Sequence, residues 1–300
     1  LRAGDNFRVR TIHIIVGPTA AGKSACAMDL APRINGEILS ADSRHVYRRM
    51  EIGTNKPTQA ERAAVPHHLL DLRAPWESFS LAEYAALARA ALTEVLARGR
   101  TPVLVGGTGQ YVRALVEGWQ VPEVPPDEAL RARLLAFADA HGADALFAQL
   151  IERDPAAAHT IDKRNVRRVV RALEVMHATG RTWTELQQRT PLDVQFDVRI
   201  EWIYVNLPRE QLYAVADARI DAMLTRGWLD EVRALLQSLA ARGIDADAAL
   251  RLPAFSSLGY RELAEVLLGR RTLADAVDAV RRETRRFIRM QDTWFRALTA

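Results

Sequence analysis

The sequence predicts an α/β protein: a P-loop parallel-sheet core with helices on both faces and a helical insertion domain. Three observations predict it. Short apolar runs alternate with helical segments, as in a parallel sheet. Three of those runs stop just before Gly17, Asp42 or Gly106. Between residues 121 and 195 the strand pattern lapses and only helical periodicity continues.

TIHIIV (11–16) reads as a buried strand, short and rich in Ile and Val. GPTAAGKS (17–24) follows it and has the form G-x-x-x-x-G-K-[ST], a phosphate-binding loop. Lys23 to Pro32 reads as the helix that the loop requires. EILS (37–40) is a second strand with Asp42 just beyond its end. SLAEYAALARAALTEVLARG (80–99) is a helix with a Ser N-cap and a Gly stop. PVLV (102–105) is a third strand, followed by Gly106, Gly107 and Gly109. VPEVPPDE (121–128) is a proline-rich linker into the helical insertion. EWIYVNL (201–207) is the fourth strand, and the chain from Arg209 onward is mostly helical. The domain expectation is therefore a core of 1–120 and 196–300 with an insertion of 121–195.

In open parallel sheets ligands bind beyond the carboxyl ends of the strands. Gly17, Asp42 and Gly106 are predicted to meet there. The loop amides form an anion nest, the next helix adds its positive end, and Lys23 supplies a mobile charge. Ser24 is placed to ligate Mg²⁺. No apolar strand ends in an Asp with a following acid, as a hydrolase would use to hold metal and orient water. Asp42 stands in that region as a metal holder, a base or a turn residue. Thr108 is a candidate donor to a diphosphate or a substrate.

Composition narrows the classes. No apolar run reaches the roughly 20 residues of a membrane span, and LRAGDNFRVR has no secretory core. The absence of an initial Met leaves the true N-terminus open. Cys26 is the one cysteine, so no internal disulfide forms and a cytoplasmic location is expected. Only three of the 41 basic residues are Lys, so the loop Lys stands against a strong Arg bias. Arg164, Arg167, Arg168 and Arg171 fall on one helical face opposite Val166, Val169, Val170 and Leu173. Arg282, Arg285, Arg286 and Arg289 repeat the pattern. Two such stripes point to a polyanionic partner. His67 and His68 have no third ligand at metal-binding spacing, so structural roles are expected.

In order along nearly the whole chain, these stretches resemble the bacterial tRNA dimethylallyltransferase (tRNA isopentenyltransferase) family. The resemblance rests on GPTAAGKS (17–24), SADSRHVYRRMEIGTNKP (40–57), PHHLLD (66–71) and PVLVGGTGQYVRAL (102–115). It continues through NVRRVVRALEV (165–175), ARI (218–220), GYREL (259–263) and TRRFIRMQDTWFR (284–296). The resemblance implies transfer of a dimethylallyl group from dimethylallyl diphosphate to the exocyclic amine of the adenine 3′ to the anticodon of tRNA (position 37). It implies Asp42 as general base, with Thr108 and Arg219 near the diphosphate as further catalytic residues. It implies a diphosphate cradle of Gly17, Thr19, Ala20, Ala21, Gly22, Lys23 and Ser24, with Mg²⁺ at Ser24. It further implies tRNA contacts from Asp42, Ser43, Arg44, His45 and Thr108, and from Arg167, Arg168, Val169, Val170 and Arg171. A monomer acting on the anticodon stem-loop is expected. His45 stands where the family usually has Gln, and Gln110 where an apolar residue is usual. The bacterial form, without the eukaryotic C-terminal zinc-finger extension, is expected. Alternatives are an adenylate isopentenyltransferase acting on free AMP, ADP or ATP, a P-loop small-molecule kinase, and a non-catalytic RNA-binding module.

Overall fold

The computed structural model describes residues 9–119, 122, 124–187 and 197–299, without the side chains of 297–299. The reading of residues 1–8 and that of Val121 and Glu123 in the linker lie outside the described residues. The chain forms two compact units, Leu1–Arg113 with Val194–Ala300, and Ala114–Asp193.

The first unit opens with β1 (Arg10–Val16), α1 (Lys23–Arg33), β2 (Gly36–Ser40), α2 (Gln59–Ala64), β3 (His67–His68), α3 (Leu81–Ala97) and β4 (Thr101–Val105). Helix α4 (Gly109–Val116) spans the division between the units. The second unit holds α5 (Glu128–His141), α6 (Ala143–Arg153), α7 (Val166–Thr179) and α8 (Trp183–Leu186). The chain returns through β5 (Val198–Tyr204) and finishes in α9 (Arg209–Thr225), α10 (Trp228–Ala240), α11 (Ala246–Arg251), α12 (Tyr260–Leu267) and α13 (Leu273–Thr299).

The five strands form one sheet in the order β3-β2-β4-β1-β5, and every neighbouring pair is parallel. Ile15, Ile38, Val103 and Val105 pack with Ala27 and Ala31 of α1 on one face. The alternate residues Ile14, Leu39 and Leu104 are also fully buried. Side chains alternate across a strand, so both faces of the sheet are covered. Helix α3 packs on β2 and β4, and its buried Tyr84 donates a hydrogen bond to the Ser40 carbonyl at 3.1 Å. Ser80 caps α3 through a reciprocal pair with Glu83, satisfying two backbone donors at the helix start.

Two expectations are corrected. The last strand lies at Val198–Tyr204 rather than 201–207, because β1 sets its extent: Arg10 pairs with Val198 and Val16 with Tyr204. The sheet also has a strand beyond the four expected, the two-residue β3. His67 and His68 form it, and His68 Nε2 hydrogen-bonds Glu37 at 2.7 Å.

A further core lies among α9, α10, α12 and α13, where Trp228, Val232, Leu235, Tyr260 and Leu263 are buried with Val46, Tyr47 and Met50 from the segment after β2. The second unit has a core of its own, with Leu146, Leu150, Ile161, Val169, Val170 and Leu173. Glu174 is buried there and accepts hydrogen bonds from Arg131, Arg171 and the Asp127 amide. Burial alone would raise its pKa, but the arginine bonds outweigh that and hold the carboxylate ionised.

Candidate active site

The phosphate loop begins where β1 ends. Gly17 has φ +147°, and a Cβ there would lie 1.9 Å from the Val205 carbonyl oxygen, so only glycine fits. Gly22 caps α1 in the left-handed conformation without a capping side chain. The first-turn amides of α1 are therefore left for an anion, with the positive end of the helix behind them. Thr19, Ala20, Gly22, Lys23 and Ser24 line one side of a cavity of about 1030 Å³. Gly17 and Ala21 sit behind it as support, with Ala21 packed against Leu212, Ala216 and Ile288.

Lys23 and Arg219 are two of the cations that line this cavity, with Arg44, Lys56 and Arg226. Lys23 Nζ donates to the Pro18 carbonyl at 2.8 Å. Burial pulls its pKa down to about 8, opposed by Asp42 and assisted by Arg219. Arg219, on α9, also lines the cavity, and burial lowers its pKa as well. Two like charges held out of water, with Asp42 the carboxylate that acts on Lys23, make a place short of negative charge.

Asp42, Ser43, Arg44 and His45 follow β2 and line the opposite side. Asp42 Oδ1 accepts the Arg44 amide at 2.8 Å, so it is a turn residue as well as a cavity carboxylate. Thr108 lines the same cavity, but its hydroxyl is engaged. It accepts the Ser43 amide at 3.0 Å and donates to Ser43 Oγ at 3.3 Å. This latches the glycine turn after β4 to the turn after β2. His45 is turned inward. Its Nε2 donates to the Thr54 carbonyl at 3.1 Å, and its Nδ1 accepts from Ser40 Oγ at 3.0 Å. Both ring nitrogens are thus occupied within the protein, so a base contact through this ring is not available in this conformation. Gln110 is also among the lining residues.

The segment 51–56, whose residues 53–56 line the cavity, is fixed by groups that sequence reasoning passed over. Glu231 accepts the amides of Glu51 and Ile52 at 2.7 and 2.8 Å and the Tyr260 hydroxyl at 2.6 Å. The Lys56 side chain is fully buried and donates to the Tyr47 carbonyl and Asp71, both at 2.7 Å. A lone Glu and a lone Lys carry no spacing signal. Only the charge pairing of GTNKP with PHHLLD would have revealed part of it.

The tRNA-contact residues expected at 167–171 belong to the second unit. Arg167 and Arg168 are exposed on α7, and among the described residues no ion pair engages either side chain. Arg171 instead bonds Glu174 and the Val124 carbonyl. Arg164 precedes the helix and pairs with Asp162 at 2.7 Å. Val169 and Val170 are buried in the core, so their side chains are packing groups, a correction to the expected RNA contact. The second stripe is corrected in part, at Arg285 and Arg289, and the neighbouring Arg281 is engaged as they are. Arg281 pairs with Asp221 at 2.6 Å, Arg285 pairs with Asp217, and Arg289 donates to the Tyr213 hydroxyl at 3.1 Å. Arg282 and Arg286 remain exposed.

Among the described residues no group of three or more His, Cys, Asp or Glu is arranged to hold a metal. No helix among them is long and apolar enough to cross a membrane.

A family model described as IPP transferase matches residues 45–298. A protein named tRNA dimethylallyltransferase from Roseiflexus sp. (strain RS-1) is 51% identical over 95% of this chain and 89% of its own length. Its namesake from Chloroflexus aggregans is 50% identical over 95% of this chain and 92% of its own. The crystal structure of a full-length tRNA isopentenylpyrophosphate transferase from Bacillus halodurans superposes with a TM-score of 0.64 at 38% identity. It matches 96% of this chain and 87% of that one. A eukaryotic dimethylallyltransferase acting on tRNA gives a TM-score of 0.75 at 26% identity, over 95% of this chain and 69% of that one.

Proposed function

The chain belongs to the IPP transferase family, and from that premise we propose that it transfers a dimethylallyl group from dimethylallyl diphosphate to the exocyclic amine of adenine 37 in tRNA. The observation that carries this reading is that the buried cations Lys23 and Arg219 line one cavity with the phosphate loop and the Asp42 carboxylate. Such a site suits a leaving diphosphate and an amine that must lose a proton.

Asp42 takes that proton as the new N–C bond forms and the C–O bond to the diphosphate breaks. Lys23, Arg219 and the loop amides neutralise the charge gathering on the departing diphosphate. Ile220, Met223, Val280 and Phe287 contribute apolar wall to the same cavity and offer dry surface for the five-carbon chain. Ser24 lines the cavity at the start of α1. Mg²⁺ usually keeps several waters and takes few protein ligands beside substrate phosphates, so a lone hydroxyl next to a diphosphate fits it. The ion would add positive charge beside the leaving group. Thr108 serves by fixing Ser43, and Arg167 and Arg168 of the helical unit hold anticodon-loop phosphates. The target base lies in a loop that is already single-stranded, which lowers the cost of presenting it. The enzyme works as a monomer in the cytoplasm, where its tRNA substrate is found.

Incubation with labelled dimethylallyl diphosphate and either tRNA or AMP tests this reading. Label transferred to tRNA alone is expected. Label on AMP would favour an adenylate prenyltransferase, and turnover of ATP without transfer would favour a kinase.

A further inference from the structure

We propose that Gln291 is a positioning residue whose carboxamide sets the gap between the phosphate loop and the glycine turn after β4. The inference rests on reading that loop as a diphosphate cradle. Gln291 lies on α13 and is only 4% exposed. Its Oε1 accepts the Thr19 amide at 2.8 Å, and its Nε2 donates to the Gly107 carbonyl at 2.8 Å. Thr19 offers only a donor and Gly107 only an acceptor, which sets the orientation of the amide. One side chain therefore ties together two loops that β1 and β4 deliver separately.

The fit is close. A Cβ added to Gly107 would lie 2.4 Å from Gln291 Nε2 and 3.8 Å from Lys23 Nζ. The amide, the glycine turn and the loop ammonium thus share one small space. The next residue, Asp292, accepts from the Tyr204 hydroxyl at 2.6 Å and from Asn206 at 3.1 Å. The helical turn carrying Gln291 is accordingly anchored to the end of β5. With Thr19 held inward, the remaining loop amides keep one arrangement before any anion arrives, and this preorganisation is what Gln291 contributes.

A side chain in this place must both accept and donate. Methionine does neither, and an ionised glutamate only accepts, placing its charge against the Gly107 carbonyl. A neutral glutamic acid does both. Inorganic pyrophosphate is the probe, measured by calorimetry on the full chain, because it requires the loop but not the prenyl group. Gln291→Met is expected to bind it about tenfold more weakly, on the order of the net worth of the two hydrogen bonds it loses, with an unchanged circular dichroism spectrum. Gln291→Glu is expected to match that loss near neutral pH and to recover toward wild-type affinity as the pH falls. Lys23, Asp42 and Arg219 line the same cavity and are present in every variant, so the ratio of variant to wild type is the quantity to follow. Wild-type affinity in the Met variant would overturn the proposal. So would a Glu variant whose deficit stays constant at every pH. A wild-type protein that binds pyrophosphate but leaves dimethylallyl diphosphate unused would instead refute the proposed function and leave the role of Gln291 standing.

Discussion

Helices α7 and α13 each carry an arginine stripe, and in sequence the two look interchangeable. On α13 half of the stripe, with the neighbouring Arg281, is a seam, while Arg282 and Arg286 stay exposed. Arg281, Arg285 and Arg289 meet Asp221, Asp217 and Tyr213 of α9, each four residues from the next and running in the opposite direction. On α7, Arg171 is drawn to Glu174, while Arg167 and Arg168 face solvent with no ion pair among the described residues. Arginine spacing alone therefore does not separate a ligand face from a packing face. The matching acids on a second helix do, and Tyr213, Asp217 and Asp221 were present in the sequence to be compared. The same distinction holds at the cavity, where Lys23 and Arg219 are held without a full complement of negative charge.

The rule that unpaired charge is charge in use can be broken at several points. The largest effect is expected at Asp42. Asp42→Asn keeps the size and the bond to the Arg44 amide but cannot take a proton. Single-turnover prenylation should slow by about 10²–10⁴, with donor and tRNA affinities changed little. A near-normal rate would leave Asp42 as a turn residue only.

Lys23 comes next. Its pKa of about 8 in the free protein means that it is charged below that pH and neutral above it. A bound diphosphate favours the ammonium form. Donor affinity should therefore be full below pH 8 and fall as the pH rises through that value, approaching about tenfold per unit. Lys23→Arg, charged throughout, should flatten this limb. A wild-type affinity that is constant from pH 7 to 9.5 would remove Lys23 from the cradle.

The helices themselves give the smaller effects. Replacing Arg167 and Arg168 together should lower the slope of log tRNA affinity against log salt by roughly 1.4, about 0.7 for each phosphate contact to single-stranded RNA. Replacing Arg281 and Arg285 should leave that slope unchanged. Equal slopes for the two double variants would erase the contrast between the stripes. Last, Asp217→Asn should cost about 0.2–1 kcal/mol of stability in urea unfolding, the usual worth of a partly exposed pair, with tRNA affinity unaltered.

The parts of the fold that were legible are those with a strong local signal. The loop and its flanking strand and helix carry fixed glycine spacing and an apolar run. Helix α3 carries a Ser N-cap and an unbroken run of helix formers. Strand β3 was not legible, since two residues have no periodicity. The extent of β5 was misjudged because Val205, Asn206 and Leu207 continue its apolar pattern, whereas pairing with β1 ends at Tyr204. At the site, the residues joined to glycine motifs or strand ends were found. Gln291, Glu231 and Lys56 were not, because each acts through a partner distant in sequence and resembles an ordinary helix or loop residue. Val169 and Val170 show the reverse: the resemblance implies them as RNA contacts, whereas their spacing opposite the arginines places their side chains in the core.

The Gln291 bridge also has a consequence in time. Thr19 and Gln291 are 272 residues apart, and a ribosome adding about 5–20 residues per second needs on the order of tens of seconds to cover that distance. Throughout that interval a nascent chain carries its phosphate loop and Lys23 but lacks the side chain that sets their spacing. The cradle is therefore completed only once Gln291 has been made, and partial chains that stall before it would hold a diphosphate weakly instead of sequestering it.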